Sequence, residues 1–142
     1  MSAISLQGID HVVLRVQDLD AVRRFYCDVL GATHVAYRAE FGMSHLRAGA
    51  ALIDLVAVQG KLGQAGGAAP GTEGRNMDHL CLRVEPFNQE AIVAHLQAHG
   101  VAIGEIRRRF GAEGNGISIY VQDPEGNTVE LKGPSDGMPP TP

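Results

Sequence analysis

Apolar and polar positions alternate through residues 8–16 and again through 77–84, the period of a β-strand with one buried face. In the first stretch Val12, Leu14 and Val16 fall on one side, while His11, Val13 and Arg15 fall on the other. The spacing then becomes helical. Leu19, Val22, Phe25, Tyr26, Val29 and Leu30 share a stripe, Asp18 can cap the start, and Gly31 can stop the helix in the left-handed conformation. Strands are predicted over 33–39, 43–48 and 51–58, with Gly42 and Gly49 near the turns. The second alternating stretch opens the same order. A helix from Asn88 to His99 buries Ile92, Leu96 and Phe87, Gly100 ends it, and strands are predicted over 101–109, 116–122 and 127–132. Asp123-Pro124-Glu125-Gly126-Asn127 suits a tight hairpin between the last two.

The two alternating stretches are copies of each other. Ile9-Asp10-His11-Val12-Val13-Leu14-Arg15-Val16 returns as Met77-Asp78-His79-Leu80-Cys81-Leu82-Arg83-Val84, with Asp, His, Leu, Arg and Val at the same offsets. An internal duplication lets a small fold build one cavity from two similar halves. Module one is therefore set at 8–59 and module two at 77–133. The connector, 60–76, is rich in Gly, Ala and Pro and reads as flexible or as a loop over the site. Residues 134–142 read as a frayed tail.

Composition narrows the class without choosing a function. At 142 residues, 44% hydrophobic and 20% charged, the chain suits one ordinary globular domain. Its apolar runs are strand-sized, so no membrane span is expected, and no secretory signal is readable. A net charge of −4 argues against a nucleic-acid partner. Cys27 falls in the first helix and Cys81 is placed on the apolar side of its strand, so a disulfide framework is not expected. Together these features suit a cytoplasmic protein.

Alternation also selects the candidate site. His11 and Arg15 share a face, as do His79 and Arg83, and the last strand of each module carries an acid in an apolar frame. Those acids are Asp54 in Leu52-Ile53-Asp54-Leu55-Val56 and Glu130 in Thr128-Val129-Glu130-Leu131-Lys132. A lone strand histidine is ordinarily a hydrogen-bonded core or edge residue. Two histidines and two carboxylates at repeat-related places favour a metal, and an N₂O₂ set suits Zn, Ni, Co, Mn or Fe(II). Asp54, shorter than Glu by a methylene, reaches the metal directly or through water. His45 and Arg47 share a strand face and are assigned to substrate contact, His45 also being a reserve ligand. Arg107-Arg108-Arg109 reads as a solvated edge strand, the alternative being a clamp on an anionic substrate. His95 and His99 read as a surface pair near a helix end, and Gly111 to Gly116 as a turn.

These motifs resemble the vicinal oxygen chelate superfamily, which includes glyoxalase I, fosfomycin-resistance enzymes, methylmalonyl-CoA epimerases, extradiol dioxygenases and bleomycin-binding proteins. The matching pieces are Asp10-His11, Leu14-Arg15-Val16, Arg24 to Gly31, Asp78-His79 and Asp123 to Leu131. The resemblance implies an α+β fold of two tandem βαβββ modules forming a cupped mixed sheet around one divalent metal, with helices outside. By motif position His11, His79 and Glu130 correspond to the ligands common to metal-using members. Asp54 stands where glyoxalase I and the epimerases carry a fourth ligand, Glu or Gln. Arg15 resembles a glutathione-contacting arginine of glyoxalase I. Val13 replaces a catalytic threonine of the fosfomycin enzymes, whereas Tyr120 matches a substrate-binding tyrosine there.

The resulting expectation is a metal-dependent lyase or isomerase of glyoxalase type. The metal would polarise a substrate carbonyl and stabilise an enediolate, while Glu130 or Asp54 moves the proton. Arg15 or Arg83 would bind the carboxylates of a thiol adduct. An Fe(II) extradiol-type dioxygenase using His11, His79 and Glu130, and a non-enzymatic drug-binding protein, are the alternatives. A homodimer is expected because two small sheets leave long edges to cover.

Overall fold

The computed structural model describes residues 2–139. The chain divides between Pro70 and Gly71 into two compact units. Each contains one four-stranded mixed sheet.

In the first unit β1 (His11–Val16) runs parallel to β4 (Ala51–Ala57), and β3 (Met43–Ala48) and β2 (Thr33–Arg38) follow antiparallel. The order is β1-β4-β3-β2. Between β1 and β2, α1 (Leu19–Arg24) continues into a π-helical turn over Phe25–Val29. Asp18 accepts from the Ala21 amide at 3.0 Å, the cap expected from the sequence, and Gly31 takes φ +82°. The π turn is a departure from a regular helix, marked by the Leu30 amide donating to the Phe25 carbonyl at 3.1 Å. Phe25 and Tyr26 within it are buried, with rings in edge contact at 5.3 Å. Leu14, Val16, Leu46, Ile53 and Leu55 are buried with Val22 and Tyr26, so one sheet face is the core.

The connector is not loose over its first part. Residues Gly63–Gly66 form a 3₁₀ turn, with the Gln64 amide donating to Gly60 O at 3.0 Å. The Arg15 guanidinium holds this turn from β1, donating to Gly63 O at 2.8 and 3.2 Å, to Gly67 O at 2.7 Å and to Ala68 O at 3.1 Å. Glycine is needed here for space. A Cβ on Gly63 would lie 1.9 Å from the Ala57 carbonyl oxygen, and one on Gly66 would lie 2.4 Å from Arg15 Nε.

The second unit repeats the plan. Strand β5 (Leu80–Arg83) runs parallel to β8 (Thr128–Lys132), β7 (Gly114–Gln122) and β6 (Ile106–Gly111) follow antiparallel, and the order is β5-β8-β7-β6. Helix α2 (Gln89–Ala98) is capped by Asn88, which accepts from the Ala91 amide at 3.0 Å. Leu96, Ile119, Val121, Val129 and Leu131 form the buried set, while Ile92 and Phe87 are only half-buried. Three expectations change. The β6–β7 turn is confined to Ala112 and Glu113, because Gly111 and Gly114 already pair across the hairpin. Residues 101–105 are irregular, although Gly104 and Glu105 bond the Tyr120 backbone. The tail is held through 139, since the Asp136 amide donates to Asn115 O and Arg108 pairs with Asp136. Residues 140–142 of the expected tail lie outside the described residues.

Candidate functional site

Register aligns the two acids. In the first unit His11 is opposite Leu52 and Val13 opposite Asp54, while in the second Cys81 is opposite Glu130. Val13 and Cys81 each lie two residues beyond a repeated histidine, so Asp54 and Glu130 occupy equivalent places. Partners across a sheet share a face, and alternation brings each histidine onto the face of its acid.

In the first unit His11 Nδ1 is 2.6 Å from Asp10 Oδ1. A carboxylate only accepts, so Nδ1 carries the proton and a neutral ring keeps its lone pair at Nε2. That bond, more than any other influence, raises the His11 pKa; desolvation opposes it, and the charges of Asp54 and Asp10 add to it. Asp54 is 5% exposed and faces His45 across β3–β4, with His45 Nδ1 at 2.7 Å from Asp54 Oδ1. Arg47, opposite Leu52, is on the same face and exposed.

The second unit repeats the histidine contact. His79, just before β5, has Nδ1 2.6 Å from Asp78 Oδ2. Its ring meets the Tyr120 ring at 5.6 Å, and Tyr120 lies opposite Glu130. Glu130 is 5% exposed, and its Oε1 accepts the Ser118 hydroxyl at 3.1 Å. Arg109 Nε stands 3.8 Å from the same oxygen, its guanidinium 3.9 Å above the Tyr120 ring. Cys81 faces this carboxylate and is exposed, which corrects its placement on the apolar side. Partial desolvation of the sulfur and then the hydrogen bond to Glu130 push its thiol up to about 12.

The two repeated arginines have local partners. Arg15 holds the connector as described above. Arg83 pairs with Glu113 and Glu85, the bond to Glu113 being the main reason its pKa is raised. Of the three consecutive arginines, Arg107 pairs with Glu105 and Arg108 with Asp136, as an edge strand suggests. Arg109 differs: its side chain is 10% exposed and turned inwards. Sequence reading missed both Arg109 and Ser118. The missing signal was the two-residue turn at Ala112-Glu113, which sets Arg109 opposite Gly116 and leaves its side chain room to cross towards Ser118.

Among the described residues, no three histidine, cysteine or carboxylate side chains are grouped as a metal site. Each unit instead presents one histidine with a determined tautomer and one buried carboxylate. Imidazole nitrogen with carboxylate oxygen is a donor chemistry that fits a divalent transition metal.

Known proteins share this plan. The family model described as Glyoxalase/Bleomycin resistance protein/Dioxygenase superfamily matches residues 8–131. Virulence protein STM3117 of Salmonella typhimurium is 32% identical over 128 residues, covering 89% of this chain and 83% of that protein. Glyoxalase domain-containing protein RDO1 of Mycosarcoma maydis is 31% identical over 134 residues, covering 94% and 72% respectively. The crystal structure of STM3117 superposes with a TM-score of 0.77 at 28% identity, over 93% of this chain and all of that one. Among the described residues no helix is long and apolar enough to cross a membrane.

Proposed function

The chain belongs to the glyoxalase/bleomycin resistance protein/dioxygenase superfamily, and on that premise we propose that it is a divalent-metal-dependent lyase or isomerase of glyoxalase type. His11, His79, Glu130 and Asp54 are the proposed donors to one metal per site, Zn, Ni, Co, Mn or Fe(II). One observation carries the reading. The same lattice occurs twice, with a histidine held at Nδ1 by the preceding aspartate and a buried carboxylate opposite the residue two positions further on. Chance surface histidines would not repeat the aspartate contact, the tautomer and the acid together.

Asp10 and Asp78 fix which ring nitrogen is the donor, as a carboxylate behind a metal-ligating histidine does. A bound cation would act as a Lewis acid on a carbonyl of a small oxygenated substrate. Glu130 or Asp54 takes the proton from the adjacent carbon and returns it one carbon away, so the reaction is an isomerisation with no net redox change. For a methylglyoxal–thiol adduct the product is a 2-hydroxyacyl thioester. Tyr120, His45 and Arg47 are the proposed substrate contacts. Arg15 and Arg83 can join them only by exchanging the partners they hold. A cytoplasmic homodimer, binding neither nucleic acid nor membrane, completes the reading.

The test is elemental analysis of protein purified without added metal, followed by a methylglyoxal–glutathione assay. Glu130→Gln should abolish turnover while part of the metal is retained, and full activity in that variant refutes the assignment. Oxygen uptake with a catechol would mark a ring-cleaving dioxygenase instead. Drug affinity in a metal-free protein would mark a binding protein.

A further inference from the structure

Resting on the metal reading above, we propose that Ser118 and Arg109 are positioning residues that brace Glu130 by one oxygen and leave the other as its working atom. The contacts form a chain with one direction. Arg109 Nη1 donates to Ser118 Oγ at 2.8 Å and to the Ser118 carbonyl at 3.2 Å. An arginine cannot accept, so the serine hydroxyl uses a lone pair on Arg109 and its single proton is directed elsewhere. That proton goes to Glu130 Oε1, 3.1 Å away. Arg109 Nε approaches the same Oε1 at 3.8 Å. Both members of the chain therefore address Oε1 and neither addresses Oε2, while the Cys81 thiol, a weak donor, also bonds this carboxylate.

The burial of Arg109 is what this role explains. Its Nη2 is buried without a hydrogen bond, and a desolvated guanidinium is unfavourable unless nearby charge and polar contacts offset it. The offsets are the Glu130 carboxylate, Glu105 at 3.4 Å and the Tyr120 ring. Two carboxylates already neutralise this cation, so it is poorly suited to clamp an anionic substrate. The first unit lacks the device: Asp54 meets His45 where Glu130 meets Tyr120. The two equivalent acids are thus held differently, with the braced one in the second unit.

Two measurements on the full-length protein separate this inference from the metal reading. In metal-free protein, urea unfolding of Ser118→Ala, Glu130→Gln and the double variant should show coupling of about tenfold in the unfolding constant, as expected for a hydrogen bond to a carboxylate. The coupling should collapse in an Arg109→Met background. In cobalt-loaded protein, Ser118→Ala should weaken Co(II) binding by roughly 10- to 100-fold and alter its visible absorption bands, while Ser118→Thr should restore both. No coupling in the metal-free cycle overturns the brace. Unchanged cobalt affinity and bands in Ser118→Ala overturn its role in presenting the donor. A wild type that takes up no cobalt, with coupling intact, overturns the metal reading and leaves the brace standing.

Discussion

Replacing Arg15 by methionine keeps an unbranched apolar stem and removes the hydrogen bonds to Gly63, Gly67 and Ala68. A bond from a charged donor contributes about 1.5–3 kcal/mol when well shielded and much less where water competes. The bonds to Gly63 are part-buried and those to Gly67 and Ala68 exposed, so their combined effect on the connector is about 2–3 kcal/mol. That corresponds to a local opening constant larger by roughly 30- to 140-fold. Native-state hydrogen exchange reads it at the Gln64, Ala65 and Gly67 amides, which bond within the turn. A second arm uses Gly66→Ala, whose methyl would collide with Arg15 Nε at 2.4 Å. It should destabilise the wild type by about 1–3 kcal/mol and have a smaller effect beside Arg15→Met. Unaltered exchange at all three amides in Arg15→Met, together with a raised KM, would refute the bracing role and return Arg15 to substrate binding.

Other consequences follow from burial and charge. Leu55→Ala, at a fully buried position in the centre of β4, should reduce stability in urea by about 2–5 kcal/mol. His45→Gln removes the partner of the buried Asp54 carboxylate and should destabilise metal-free protein by about 1–3 kcal/mol; adding Asp54→Asn should recover part of that loss. Asp136 is held down at about 2, first by its hydrogen bond from Arg108. A depressed carboxyl contributes stability above its ordinary value near 3.8, and that contribution disappears as pH falls through about 2. Proteolysis of the tail should therefore accelerate across that acid window in wild type, and Arg108→Gln should weaken the pH dependence, the Met138 amide still bonding the carboxylate.

The alternation in Asp10 to Val16 and its copy determined by itself that two similar units exist and that each buries one sheet face. A one-residue slip would move every apolar side chain to the wrong side, so such a pattern permits one assignment. Local chemistry likewise made the cap at Asp18 and the stop at Gly31 legible, because each depends on neighbours within a few residues. The alignment of Asp54 with Glu130 followed from the repeat. What holds each acid did not. His45 meets Asp54 and Ser118 meets Glu130 because distant strands pair in a particular register, which no local period specifies. For the same reason, only tertiary structure distinguished Arg109 from its neighbours and turned Arg15 towards a glycine-rich segment. Their guanidiniums have the same chemistry, but the carbonyls, carboxylates and rings that meet each one come from far along the chain.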